Sequence, residues 1–333
     1  MEQEKKLSTH KTEVIRINMT PHGNADSLSI VKIFDGYQAV VRTSDWQNGE
    51  LAAYVVPDSI VDTTREEFSF LKTNKHDKER ITVRRLRGQL SFGLLIKAPI
   101  GSKEGDDVSE QLGVTHYNPS ISSAPLKTGL DSSPPPPYGF YPVYDVDNFR
   151  RYSNVFNNGE YVVITEKIDG TSAIYVCVDG EMYVSSHRGW KKKDEENLYW
   201  KILSLYPELE EFCRSRPGMA VYGEIYGYVQ KLRYGASRKE VRFAAFDLLN
   251  KGEWLDNNIA RIVAAKIPWV PLVNELIKFN QEYILEEAEK DSLVPGANHL
   301  REGVVVKPFQ ERSHPSIGRV NLKAISVRYL TQK

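Results

Sequence analysis

The chain has 333 residues, 41% hydrophobic and 26% charged, the composition of an ordinary globular protein rather than a disordered or fibrous one. Lys+Arg and Asp+Glu balance at 44 each, so the whole molecule has no field for attracting polyanions, and any nucleic-acid surface has to be local. The polar start MEQEKKLSTH leads into no apolar segment, no run approaches the roughly 20 apolar residues of a spanning helix, and Cys177 and Cys213 lie far apart. These features argue against a secreted disulfide framework and against a cysteine zinc site, and the expected location is intracellular: cytoplasm, nucleus or an organelle interior.

From about Glu13 to Pro99 short strand-like runs such as SIVKIFDGYQAVV and ELAAYVVP alternate with D-G, N-G and Pro, the pattern of a small β-barrel or sandwich. Within it, ITVRRLRGQLSFGLLIKA contains no acidic residue and carries Arg84, Arg85 and Arg87. Between about Thr115 and Asp145 the composition shifts to Ser, Asn and Pro, ending in PPPPYGFYPVYD. Four consecutive prolines favour an extended spacer, so residues 116–145 are expected to be a linker between domains at 1–115 and 146–333.

Beyond the linker, GEYVVITEKIDGTSAIYVCVDGEMYVSSHRGW reads as three strands and two turns. Asp179-Gly180 is the signal for a tight hairpin, because a type I′ turn needs positive φ at both central residues. Leu198, Ile202, Leu205, Leu209 and Phe212 recur at helical spacing and predict a helix from about Glu195 to Arg214. EVRFAAFDLL, EGVVVKPF and RVNLKAIS are further strand candidates, and Asn257 to Lys290 is expected to be mostly helical, broken by Pro268 and Pro271.

Each strand or strand end of this half contributes charge. Lys167 and Asp169 come first, then Arg188, Glu224, Phe246 with Asp247, Glu302 with Lys307, and finally Lys323. Singly, each has an ordinary structural reading as a turn, core or solvated residue. Together they put charges at the borders of apolar runs, in VVITEKIDG, AVYGEIYG and REGVVVKP alike, which predicts a cleft rimmed by strand ends. Several cations, several carboxylates and a stackable aromatic suit a nucleoside triphosphate with a metal ion.

The order of KIDGT, SHRG, GEIYG, FAAFD, EGVVVKP and NLK resembles the six nucleotidyltransferase motifs of the covalent ligases and capping enzymes. The first half, through MTPHGNADSLSIVKI and ITVRRLRGQLSFGLL, resembles the OB-fold module of certain tRNA-binding proteins. An OB module placed before the transferase domain is similar to the fifth family of ATP-dependent RNA ligases. The resemblance implies an α+β chain, an N-terminal OB-fold β-barrel followed by a nucleotidyltransferase domain that is ATP-grasp-like, with antiparallel sheets and flanking helices. DNA ligases and capping enzymes carry the OB domain afterwards, and the chain stops ten residues past Lys323, which places them second.

By that resemblance Lys167 is the nucleophile that attacks the α-phosphorus of ATP to give a lysyl-AMP. AMP then passes to a 5′-phosphate, and a 3′-hydroxyl expels it. Lys307 and Lys323 are expected at the α-phosphate. Asp169, Glu224 and Glu302 are expected on Mg²⁺ or Mn²⁺, Glu224 also near the ribose, Arg188 on phosphate or sugar, and Phe246 on adenine with Phe243 as the competitor. An amine attacks only when unprotonated, so neighbouring cations, namely Lys307, Lys323 and a metal, are expected to depress the pKa of Lys167. Asn321 departs from the family, which often has lysine there. Arg150 and Arg151 are candidates for the 5′-phosphate. Arg84, Arg85 and Arg87 are candidates for the nucleic-acid backbone, with Phe92 or Trp46 for stacking. The expected partner is RNA with 3′-hydroxyl and 5′-phosphate ends, in a nicked duplex, acted on by a monomer. A DNA ligase or GTP-using capping enzyme, separable by all-RNA against all-DNA nicks and ATP against GTP, and a non-catalytic nucleic-acid-binding adaptor are the alternatives.

Overall fold

A computed structural model describes residues 10–34, 36–73, 76–117 and 132–331. The chain forms two compact units, one of residues 1–119 with Phe149–Ser153 and the C-terminal tip, the other of residues 120–148 and 154–329. No helix among the described residues is long and apolar enough to cross a membrane.

The first unit is built from short antiparallel strands. Glu13–Arg16, Leu51–Val55 and Leu94–Lys97 form one sheet, and Met19–Pro21, Leu28–Ile33 and Tyr37–Arg42 another. Alternating apolar residues, Val14, Ala53, Val55, Val61 and Ile96, close its core around Phe68. Val83–Leu86 and Gln89–Phe92 form a hairpin whose turn, Arg87-Gly88, has positive φ at both residues.

The second unit holds two larger sheets. Six antiparallel strands run in the spatial order Gly189–Trp190, Glu181–Ser186, Thr171–Val178, Met219–Gly227, Val241–Asn250, Glu253–Trp254. Five strands run in the order Asp147–Asn148, Leu322–Ile325, Gly303–Pro308, Tyr161–Lys167, Leu272–Lys278. On the six-stranded sheet Ala173, Tyr175, Val221, Ile225, Phe243 and Ala245 bury against helices Leu198–Leu205, Pro207–Ser215 and Asn257–Val263. Asp179 and Gly180 have φ of 49° and 79° and close the expected tight hairpin.

Three expectations change. The helix expected over 195–214 is two, because Pro207 starts a new helix at a position where its missing N–H costs nothing. Leu272–Lys278, expected within a helical region, is an edge strand; its apolar spacing fits a helix, but the strand Tyr161–Lys167 offers it a hydrogen-bonded edge. Of the segment expected to be a linker, residues 132–145 pack within the second unit, whereas His116 pairs with Ser59 in the first. Tyr141 sits edge-on to Trp190, Tyr222 Oη donates to the Pro142 carbonyl, and Tyr144 packs against Tyr222 and Trp254.

Gly303 shows how tightly the five-stranded sheet is drawn. A Cβ there would run into the Ala324 carbonyl oxygen and lie 2.9 Å from the Ile325 Cα. Gly303→Ala should therefore destabilise the chain by about 1–3 kcal/mol, read as a thermal midpoint several degrees lower; an unchanged midpoint would show that the strand can yield.

Candidate nucleotidyl-transfer site

The register of the five-stranded sheet gathers the lysines. Lys167 lies opposite Gly303, Val163 opposite Lys307 and Val305 opposite Lys323. Opposed residues of antiparallel strands share a face, so Lys167, Lys307 and Lys323 all point to one side. Glu302 directly precedes Gly303, and Lys167 Nζ donates to its Oε2 at 2.9 Å.

The six-stranded sheet supplies the rest. Ser172 is opposite Glu224, which is opposite Ala244. Gly170 allows the approach: a Cβ on it would lie 2.9 Å from the Glu224 Cγ. Asp169 is buried, its carboxylate accepts the Leu232 N–H at 3.0 Å and its own N–H donates to the Tyr234 hydroxyl at 2.6 Å. A bulge leaves Phe246 without a register partner between Ala245 and Asp247. Phe243 is buried in the helix-covered core, whereas the half-buried Phe246 ring lies on the other side, 4.4 Å from that of Tyr144.

The electrostatics reverse one expectation. Burial by itself lowers the pKa of Lys167, but the charges of Glu302, Glu224 and Asp169 outweigh it and hold the ammonium above the ordinary lysine value. Burial, reinforced by the neighbouring carboxylates, pushes Glu224 up to about 8 and Glu302 up to about 7. The charges of the protein's own groups that act on the amine are carboxylates, and without the metal that the expectation included they hold it charged. Among the described residues no three His, Cys, Asp or Glu side chains stand close enough to cage a metal by themselves. The three carboxylates surround the Lys167 ammonium instead.

Lys307 also departs from expectation. It is fully buried and donates to Asp247 Oδ1 at 2.6 Å and to the Phe246 carbonyl at 3.3 Å. Burial lowers its pKa against the opposing pull of Asp247. Arg319 pairs with the other oxygen of Asp247 at 3.0 Å and with Glu311, and Tyr144 Oη donates to the same carboxylate. Lys307 thus ties the two sheets together. Asn321, where the family often has lysine, donates its amide to Tyr144 Oη at 2.7 Å.

The remaining candidates lie elsewhere. Arg188 is exposed in the turn between Glu181–Ser186 and Gly189–Trp190, its N–H on Ser186 Oγ at 3.1 Å. Arg150 and Arg151 belong to the first unit: the Arg150 guanidinium lies over Phe92, and that of Arg151 lies 3.4 Å from the Phe34 ring centre and pairs with Glu13 at 2.9 Å. Arg84, Arg85 and Arg87 are exposed on the hairpin. Of the two expected stacking rings, Phe92 is buried beneath Arg150, and Trp46 carries the Lys97 ammonium 4.0 Å from its centre. Phe92 therefore offers no face to a base, and one face of Trp46 is already taken.

Residues 160–325 match the RNA ligase family. Residues 160–325, within the second unit, are an RNA ligase domain. Residues 12–98 match an OB-fold domain. No curated protein matches the chain. Among solved structures, a Naegleria gruberi RNA ligase variant with AMP and Mn is similar at TM-score 0.81 and 24% identity, over 97% of this chain and 98% of that one. A variant of the same ligase without ligand gives TM-score 0.79, and the ligase with pyrophosphate 0.78, both at 24% identity over 97% of this chain and 98% of theirs. This likeness establishes a shared fold.

Sequence reasoning missed several groups of the RNA ligase domain. Tyr234, which holds the Asp169 backbone, stands in no motif, although its φ of 53° before Gly235 marks a special turn. Arg319 could have been found, since Arg319, Asn321 and Lys323 alternate as one strand face would. Tyr144 carried no signal.

Raised Glu pKa values fix the sign of a pH effect. Both carboxylates are less easily charged in the fold than in the unfolded chain, so their contribution is full in acid and is lost as pH rises through about 7 and about 8. In ligand-free protein, Glu224→Gln should raise the melting temperature little at about pH 5 and by several degrees at about pH 9; an equal gain at both would refute the coupling.

Proposed function

We propose that this chain is an ATP-dependent RNA ligase that joins a 3′-hydroxyl RNA end to a 5′-phosphate end with Lys167 as the nucleophile. The observation that carries the proposal is the Lys167 ammonium, set at a strand end among Glu302, Glu224 and Asp169 and on the same sheet face as Lys323. Lys167 Nζ attacks the α-phosphorus of ATP, pyrophosphate leaves, and the proton on nitrogen has a direct acceptor in Glu302 Oε2 at 2.9 Å. AMP passes from lysine to the 5′-phosphate, and the 3′-hydroxyl then displaces AMP. All three are in-line displacements that need positioning and charge neutralisation more than covalent help.

Lys323 stabilises charge on the α-phosphate and Phe246 stacks on adenine. Lys307 acts at one remove, holding Asp247 and the Phe246 backbone. The donor set suits a hard divalent cation, Mg²⁺ or Mn²⁺, held by Asp169, Glu224 and Glu302 with nucleotide oxygens and water completing its shell. When bound, that cation neutralises phosphate charge and favours the unprotonated amine. Arg188 contacts phosphate or sugar at the substrate end. The OB-fold unit, roughly residues 1–115, is the nucleic-acid platform through Arg84, Arg85 and Arg87; Arg150 and Arg151, engaged with Phe92, Phe34 and Glu13, shape it rather than bind the 5′-phosphate. The substrate is a nicked duplex and the enzyme a monomer.

Lys167→Ala should retain no α-phosphate label from ATP and seal no ordinary nick, yet seal a strand supplied already adenylylated, because only the first two steps use the lysine; normal labelling would refute the nucleophile. Arg87→Ala should lower the slope of log affinity against log salt for a nicked RNA duplex by about one, whereas an unchanged slope would remove the hairpin from the binding surface.

A further inference from the structure

The RNA ligase domain carries a second feature of which the proposed chemistry uses only Arg188. Residues 187–193, HRGWKKK, contain Arg188, Lys191, Lys192 and Lys193 and no acid. They form the turn and edge strand beside Glu181–Ser186, with Lys192 and Lys193 exposed. Arg188, Lys192 and Lys193 are the exposed cations of this rim of the six-stranded sheet, Lys191 being buried and the acids Asp194, Glu195 and Glu196 following the run.

The proline-rich segment is anchored to this edge at two points. Ser132 bridges to Lys191, and the Ser133 N–H donates to the Trp190 carbonyl at 3.1 Å. Farther along, the Tyr141 ring returns to within 6.0 Å of the Trp190 ring. The arc between these anchors holds the four prolines and then Tyr138 and Phe140, exposed by 69% and 54%. Prolines stiffen the arc, and Gly139, at φ 88°, reverses the backbone between the two aromatics. Two aromatic rings kept in solvent on a stiff support beside a basic edge are costly to solubility and lack a role in the core.

Aromatic faces next to cationic side chains are the chemistry of single-stranded nucleic-acid binding: bases stack on the rings while lysine and arginine follow the backbone. We propose that the arc 132–141 and the edge 188–193 together form a track for unpaired RNA leading to the transfer site, with bases on Tyr138 and Phe140 and phosphates on Lys192 and Lys193. The edge connects to the site along the sheet register, in which Gly189 lies opposite Ser186, Ser186 opposite Ala173 and Ala173 opposite Gly223, the neighbour of Glu224. The inference rests on the ligase reading and assigns that enzyme an unpaired extension of the nicked duplex it joins. Charge complementarity decides for RNA over a protein that reads proline-rich segments, since the three exposed cations serve no purpose for the latter.

The test uses the full-length chain with a short 5′-phosphorylated single-stranded RNA bearing a fluorophore at its 3′ end. Tyr138→Ala/Phe140→Ala should weaken binding by about tenfold or more, and Lys192→Ala/Lys193→Ala should lower the salt slope by about two. Lysine adenylylation by ATP, measured alongside, should keep its wild-type rate in both variants. Unchanged RNA affinity and salt slope with normal adenylylation would overturn the track while leaving the ligase reading standing. Loss of adenylylation in wild type would instead remove the ligase reading. Binding lost equally for a blunt RNA duplex would also overturn the track, because stacking of unpaired bases would not explain it.

Discussion

The ion pair between Lys167 and Glu302 forms between two paired strands of the five-stranded sheet, and the six-stranded sheet meets it at one corner. Lys167 ends the strand Tyr161–Lys167, Glu302 stands immediately before Gly303–Pro308, and Glu224 projects from the six-stranded sheet. Two glycines permit the meeting: Gly303 lets the central strands of one sheet close up, and Gly170 lets the chain pass against Glu224. The outcome is an amine that burial alone would neutralise and that carboxylates keep charged. On the proposed reading this amine becomes reactive only when phosphate and divalent charge enter the site, which ties its activation to the presence of substrate.

A second buried network sets the distance between the sheets. Asp247 receives Lys307, Arg319 and Tyr144 at once, and Lys307 also reaches the Phe246 carbonyl. Removing one partner from such a cluster leaves a buried charge uncompensated, which is strongly destabilising. Its position one residue from Phe246 means that packing of the fold and placement of the stacking ring are a single problem. Asn321 fits this logic, since its amide serves Tyr144 rather than a phosphate.

Strand content, the hairpin at Asp179-Gly180 and the motif order were legible because period-two alternation and turn chemistry are local. The gathering of Lys167, Lys307 and Lys323 on one face follows once register is known, and register is not in the local pattern. Sequence could not show that Asp247 lies across the gap between sheets from Lys307. Nor could it show that Glu302, Glu224 and Asp169 all act on the Lys167 amine, since the three stand far apart in the chain. Tyr144 was hidden in a segment whose prolines signalled a spacer, and the strand Leu272–Lys278 in apolar spacing that a helix would also satisfy.

Peptide mapping by mass spectrometry, after incubation of the protein with ATP and magnesium, asks most directly whether Lys167 is the nucleophile. AMP is expected on the peptide containing Lys167 and on no other lysine. AMP on Lys323 or Lys307, with Lys167 unmodified, would show that the amine held by Glu302 is not the one that reacts.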